Sequence, residues 1–137
     1  MENYFQPAME KKQIDAISNL GLAHIGDGVY ELLCRSYLCT QGNLSVQNLH
    51  KKAVALVRAT TQAKFADLLL PEFSEEELSY FRRGKNAHSH AAPKGATPQE
   101  YAKATGLETL FGALFLSGQT TRLNELFQKM MEAEYGI

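Results

Sequence analysis

The sequence predicts an all-α domain of five to seven helices, and three observations carry that prediction. Apolar residues recur at helical spacing along most of the chain, and no segment shows convincing strand alternation. Two S/T-x-x-E capping boxes, Ser74 to Glu77 and Thr97 to Glu100, mark helix starts, the second with Pro98 at the first helical position. Stop signals close the apolar runs at Gly42, Pro71 and Gly118. The 137 residues are 45% apolar and 21% charged, which suits one domain with its own core. The expectation is a single domain over residues 1–137, with 1–13 poorly ordered. There is no internal repeat and no low-complexity segment.

The first substantial helix is expected from Leu20 to Leu38, ending at "TQGN". A second helical stretch starts near Ser45, with Leu49, Ala53, Leu56 and Val57 as its apolar stripe. It breaks near "RATTQ", resumes to Leu70 and stops at Pro71. The Ser74 capping box starts a short helix through Phe81 that fades at Gly84. A 13-residue loop follows, "GKNAHSHAAPKGA", long for a helical domain and therefore a candidate functional segment. The Thr97 box starts a helix to Leu116, and the last helix runs from Thr120 to Glu134 with Leu123, Leu126, Phe127 and Met130 inward.

Bulk properties exclude several classes. No apolar run is long enough to cross a bilayer, and "MENYFQPAMEKKQ" lacks the apolar core of a signal peptide. The expectation is a soluble cytoplasmic protein. Cys34 and Cys39 are too few for a disulfide framework, and their spacing makes their side chains diverge. Net charge is −1, so the chain as a whole is no basic nucleic-acid binder. Its distribution is uneven, however. From Leu32 to Ala66 there is no acid but Arg35, Lys51, Lys52, Arg58 and Lys64, and from Phe81 to Gln99 no acid but Arg82, Arg83, Lys85 and Lys94. Such a pattern fits either one cationic face or a set of solvated helix faces.

Within the first helix, "HIGDGVYELL" sets Asp27 between Gly26 and Gly28 on an otherwise apolar run. Each interior glycine costs about 0.8–1 kcal/mol against alanine, and an isolated carboxylate among apolar residues costs more unless something pairs with it. The segment "TGLETLFGALFLSG" repeats the pattern, with Glu108 as the sole charge from Leu107 to Leu116 and glycines at 106 and 112. Two readings stand at this point. In the first, each acid is held by a basic side chain or a backbone cap. Alternatively the two acids converge, in which case both ionise comfortably only beside a cation, and magnesium prefers such hard oxygen ligands. Other metal patterns are absent or weak: there is no HExxH and no Glu-x-x-His, and His88-x-His90 lies in a basic loop without an acidic or cysteine partner.

These residues carry a resemblance. "LAHIGDGVYELLCRSYL" resembles the signature helix of the ribonuclease III family, and "LETLFGALFLSG" is similar to its second acidic motif. "RRGKNAHSHAAPKGATPQEY" between them resembles the Mini-III members, which lack a separate double-stranded-RNA-binding domain. The resemblance runs from about Ile14 onward. It implies a ribonuclease III-like endonuclease domain, a homodimer that cuts double-stranded RNA with Mg2+. It also implies 5′-phosphate and 3′-hydroxyl products and a substrate stem in precursor large-subunit (23S) ribosomal RNA. Asp27 and Glu108 fall on the family's catalytic, metal-binding acids. Glu31 matches an acidic position one turn later, left open between a place behind the metal ligands and a structural role. The chain departs from full-length ribonuclease III at Ala23 and Thr105, where that enzyme carries acids. The shell then has fewer protein ligands, and the number of metals is open.

Without an appended domain, the loop is expected to hold the duplex through Arg82, Arg83, Lys85, Asn86, His88, Ser89, His90 and Lys94, with Gly84 and Gly95 as hinges. The alternative function is a non-catalytic helical module that binds RNA or a ribosomal partner on the same fold.

Overall fold

The least polar helix of the chain lies at the centre of the molecule. In this computed structural model, which describes residues 3–87, 92 and 94–136, seven α-helices follow one another: α1 Lys11–Asp15, α2 Asn19–Thr40, α3 Val46–Val57, α4 Ala59–Leu69, α5 Glu75–Lys85, α6 Pro98–Leu116 and α7 Thr120–Tyr135. A 3-10 turn, Leu70–Glu72, joins α4 to α5, and the described residues contain no strand. The all-α expectation is met, with α1 added near the start of the chain.

Every residue of α6 from Ala104 to Leu114 is buried except Glu108. Helix α6 packs most extensively on α2, then on α5 and α4. Its sequence explains the closeness of the α2 crossing. A Cβ on Gly26 would collide with the Glu108 carbonyl, and one on Gly112 with the Leu22 carbonyl, so only glycine lets the two backbones meet there. Around this crossing the core gathers Leu22, Tyr30, Phe65, Phe81, Leu107, Leu110, Phe111, Leu126 and Met130, all nearly inaccessible.

The helix starts follow the sequence signals. Ser18, Ser45, Ser74 and Thr97 each accept a backbone N–H in the first turn, and the boxes at Ser74 and Thr97 close reciprocally through Glu77 and Glu100. The expected fade at Gly84 is corrected: α5 continues to Lys85 because Gly84 is buried against α6, where a Cβ would strike the Thr109 hydroxyl. Gly84 is a packing residue rather than a hinge. Gly95, with φ +93, does occupy the left-handed region.

The break between α3 and α4 is the turn that shapes the site. Arg58 is extended there, with φ −65 and ψ 150. The last four carbonyls of α3 would otherwise lack partners, and each is met by a different donor. The Arg58 backbone N–H donates to Val54 (3.2 Å), the Thr61 hydroxyl to Ala55 (2.7 Å), the Tyr30 hydroxyl to Leu56 (2.6 Å) and Gln62 Nε2 to Val57 (2.8 Å). Cys34 is buried and Cys39 exposed, both as free thiols. Burial pushes the Cys34 thiol up to about 12, so it is inert.

Candidate active site

The α2–α6 crossing brings together the two acids singled out by the sequence. Asp27 follows Gly26 on α2, and Glu108 stands on α6 where its own carbonyl touches Gly26. Both line one cleft of about 540 Å³, together with Val57, Arg58, Ala59, Thr60 and Gln62 of the α3–α4 break and with Lys94, Gly95, Ala96 and Tyr101. Asp27 is exposed at the rim, while Glu108 is half-buried. The expectation of two buried acids is therefore corrected for Asp27, which water reaches and which needs less compensation.

Burial first, and then the neighbouring Asp27 carboxylate, push the Glu108 carboxyl up to about 9, against a smaller lowering by the Gln62 amide. A carboxyl raised so far by burial and by a neighbouring acid, in a cleft, marks a candidate functional site. The donor set fits a hard divalent cation: two carboxylates from crossing helices, with the buried Gln62 Oε1, which has no hydrogen-bond partner among the described residues, on a side chain of the same cleft. No group of three or more His, Cys, Asp or Glu gathers among the described residues. Protein ligands are therefore few, in keeping with Ala23 and Thr105. Ala23 is buried, and the Thr105 hydroxyl donates back to the Tyr101 carbonyl at 3.0 Å.

The structure separates the remaining residues. Glu31 does not line the cleft; its carboxylate takes Arg35 of the same helix at 2.9 Å, half in solvent. Arg83 is turned inward. Its Nε donates to Asn19 Oδ1 (2.6 Å) and its Nη2 to the Ile17 carbonyl (2.9 Å), its Nη1 lies 3.7 Å from Asp15, and its plane lies over Tyr80. Its physical role is to pin the start of α2 to α5. Arg82, Lys85, Asn86 and Lys94 are exposed. Arg82 and Asn86 share a shallow depression with Asn19, Glu75 and Ser79. His88, Ser89 and His90 lie outside the described residues.

Two members of the cleft escaped the sequence reading. Arg58 was visible only as one cation among several. Gln62 left a signal: it occupies the apolar stripe of α4, Gln62–Ala63–Phe65–Ala66–Leu69, all buried. A polar residue at a core position of such a stripe needs a partner. Among the described residues, Arg58 and Lys94 have no acidic partner within salt-bridge distance. They therefore offer two cations at the mouth of an acidic cleft.

A helical domain with paired acids in a cation-flanked cleft is the arrangement of a metal-assisted phosphodiesterase. The Ribonuclease III domain model matches residues 20–119, and the chain belongs to the ribonuclease III family. Its relatives include the Mini-ribonuclease 3 of Symbiobacterium thermophilum, 46% identical over 80% of this chain and 84% of that one. The Mini-ribonuclease 3 of Clostridium tetani is 36% identical over 93% and 86% respectively. A crystal structure of a Fusobacterium nucleatum protein superposes with a TM-score of 0.81 at 29% identity, covering 89% of this chain and 98% of that one. The chain is thus an endoribonuclease of the Mini-ribonuclease 3 kind. Among the described residues no helix is long and apolar enough to cross a membrane.

Proposed function

We infer that the protein cuts double-stranded RNA with Mg2+ held by Asp27 and Glu108, acting as a homodimer on a stem of precursor 23S ribosomal RNA in the cytoplasm. The observation that carries the metal and the reaction is the meeting of those two acids in one cleft, with Glu108 raised to about 9 by burial and by Asp27. When bound, a divalent cation supplies a water of lowered pKa and neutralises charge developing on the scissile phosphate. The chain's own residues do the rest. Asp27, exposed at the rim, and Glu108, half-buried behind it, would hold the cation between them. Arg58 and Lys94 take RNA phosphates at the cleft mouth. The rigid α2–α6 crossing holds both carboxylates without reorganisation. The ribosomal substrate rests on the family resemblance alone.

The test is cleavage of a long RNA duplex with Mg2+, with Mg2+ plus excess EDTA, and with Ca2+. Asp27→Asn and Glu108→Gln are each expected to abolish cutting while retaining duplex binding and the helical circular-dichroism spectrum. Full activity in either variant sinks the assignment. Binding without cutting by the parent protein under every cation favours the non-catalytic module instead.

A further inference from the structure

Gln62 is 3% exposed, and its two polar atoms have unequal fates. Nε2 donates to the Val57 carbonyl at 2.8 Å and completes the cap of α3. Oε1 is buried, has no partner among the described residues and belongs to a side chain that lines the cleft beside Asp27 and Glu108. Buried polar atoms without partners are rare, and with both neighbouring carboxyls ionised around a cation this oxygen has a donor only if one arrives with the ligand. A cap alone needs only the N–H, so the cap leaves the oxygen unexplained. The cleft also gathers no third His, Cys, Asp or Glu among the described residues. A cation held by two carboxylates keeps several waters, and each water presents hydrogens outward.

We propose that the Gln62 side-chain oxygen accepts a hydrogen bond from a water carried by the cation at Asp27 and Glu108, making Gln62 a positioning residue of the metal centre. This rests on the metal-centre reading above. Such outer partners orient the inner shell, and losing one weakens metal affinity about 10-fold or more. Tyr30 and Gln62 cap adjacent carbonyls, Leu56 and Val57, so the residue that holds the water is itself fixed to the core.

The experiment compares Gln62→Met and Gln62→Glu by isothermal titration calorimetry with Mn2+, on the full chain without RNA. Both variants remove the N–H that caps Val57, so both lose thermal stability without cation. Only Met removes the oxygen. Mn2+ affinity is expected to fall about 10-fold or more in Gln62→Met and to stay at least as tight as the parent in Gln62→Glu. Equal affinity in Gln62→Met and the parent overturns the proposal and leaves Gln62 a cap, or an acceptor for an RNA hydroxyl. If Gln62→Met does not fold, weakened binding by folded Gln62→Glu overturns it as well. The underlying reading is separated by Asp27→Asn. Should the parent itself take up no Mn2+, the metal reading falls and the role of Gln62 with it. Should the parent bind, Asp27→Asn fail to bind and Gln62→Met bind normally, only the proposal for Gln62 falls.

Discussion

Glu108 is the residue on which the proposed chemistry turns, and its protonation makes a prediction about stability. The folded carboxyl titrates at about 9, against an ordinary 4.5. Between those values the folded, cation-free protein keeps a proton that the unfolded chain has lost. Stability therefore falls as pH rises through that window, by at most about 1.4 kcal/mol per pH unit. Urea unfolding at pH 5, 7 and 9 in EDTA is expected to show this decline in the parent and a much flatter profile in Glu108→Gln. Parallel profiles would mean that Glu108 titrates normally. Arg83 gives a contrasting case. Its alanine variant loses the bonds to Asn19 and Ile17 and is expected to cost about 2 kcal/mol of stability. The effect on the salt dependence of RNA binding is expected to be small, and a large flattening of that dependence would restore Arg83 to the RNA surface.

Helix α2 carries two glycines with opposite surroundings. Gly26 faces the Glu108 carbonyl with no room for a methyl group, whereas an added Cβ on Gly28 would meet nothing within 4 Å. Gly26→Ala is expected to destabilise the fold by about 3 kcal/mol and to displace Glu108, so activity falls with stability. Gly28→Ala should gain about 1 kcal/mol in an isolated chain. The same face of α2 exposes Leu20 (42%) and Leu32 (51%). If the proposed homodimer packs a second copy of the helix there, the added methyl loosens the dimer. Sedimentation of Gly28→Ala is expected to show more monomer than the parent. An unchanged dimer with a raised melting temperature would place the interface elsewhere. On the far side, Arg122 of α7 donates to both Glu77 carboxylate oxygens (2.7 and 2.9 Å) and to the Glu72 carbonyl (2.9 Å), closing α7 over the α5 cap. Burial alone would raise Glu77, but Arg122 and Ser74 outweigh it and hold the carboxyl below its ordinary range.

At the scale of the molecule, a net charge of −1 hides a local cationic surface. Arg58 and Lys94 border the cleft, and Arg82 and Lys85 stand exposed toward the end of α5. A duplex held by phosphate contacts releases counterions, and each lost contact lowers the slope of log affinity against log salt by about 0.9. The triple variant Arg82→Ala, Lys85→Ala, Lys94→Ala is expected to bind duplex RNA more weakly and with a slope smaller by about 2 to 3. The chemical step at saturating RNA should change far less than in Asp27→Asn. Unchanged affinity and slope would exclude these cations as the RNA grip.

Helix identities were legible in the chain because their signals are local. Caps at Ser74 and Thr97, the stops at Pro71 and Gly118, and the break at "RATTQ" act within a turn or two, so neighbouring residues contain the needed information. Glu108 was legible as a candidate because a carboxylate buried on an apolar helix is costly; Asp27, exposed at the rim, was legible through its flanking glycines and the motif around it. What depended on packing was not legible. Gly84 reads as a stop in sequence, yet it is a close-approach residue because α6 lies against it. Arg83 reads as one of four loop-side cations, yet Asn19 and the Ile17 carbonyl take its guanidinium. Gln62, an ordinary amide in sequence, acquires meaning only when the α3–α4 break carries it to Glu108. The sequence by itself determined the helices, their starts and the two acids as candidates, since those follow from short-range propensity and local motif. Only the tertiary structure decided which side chains share the cleft, because convergence from α2, α4 and α6 depends on how closely the glycines let the helices cross.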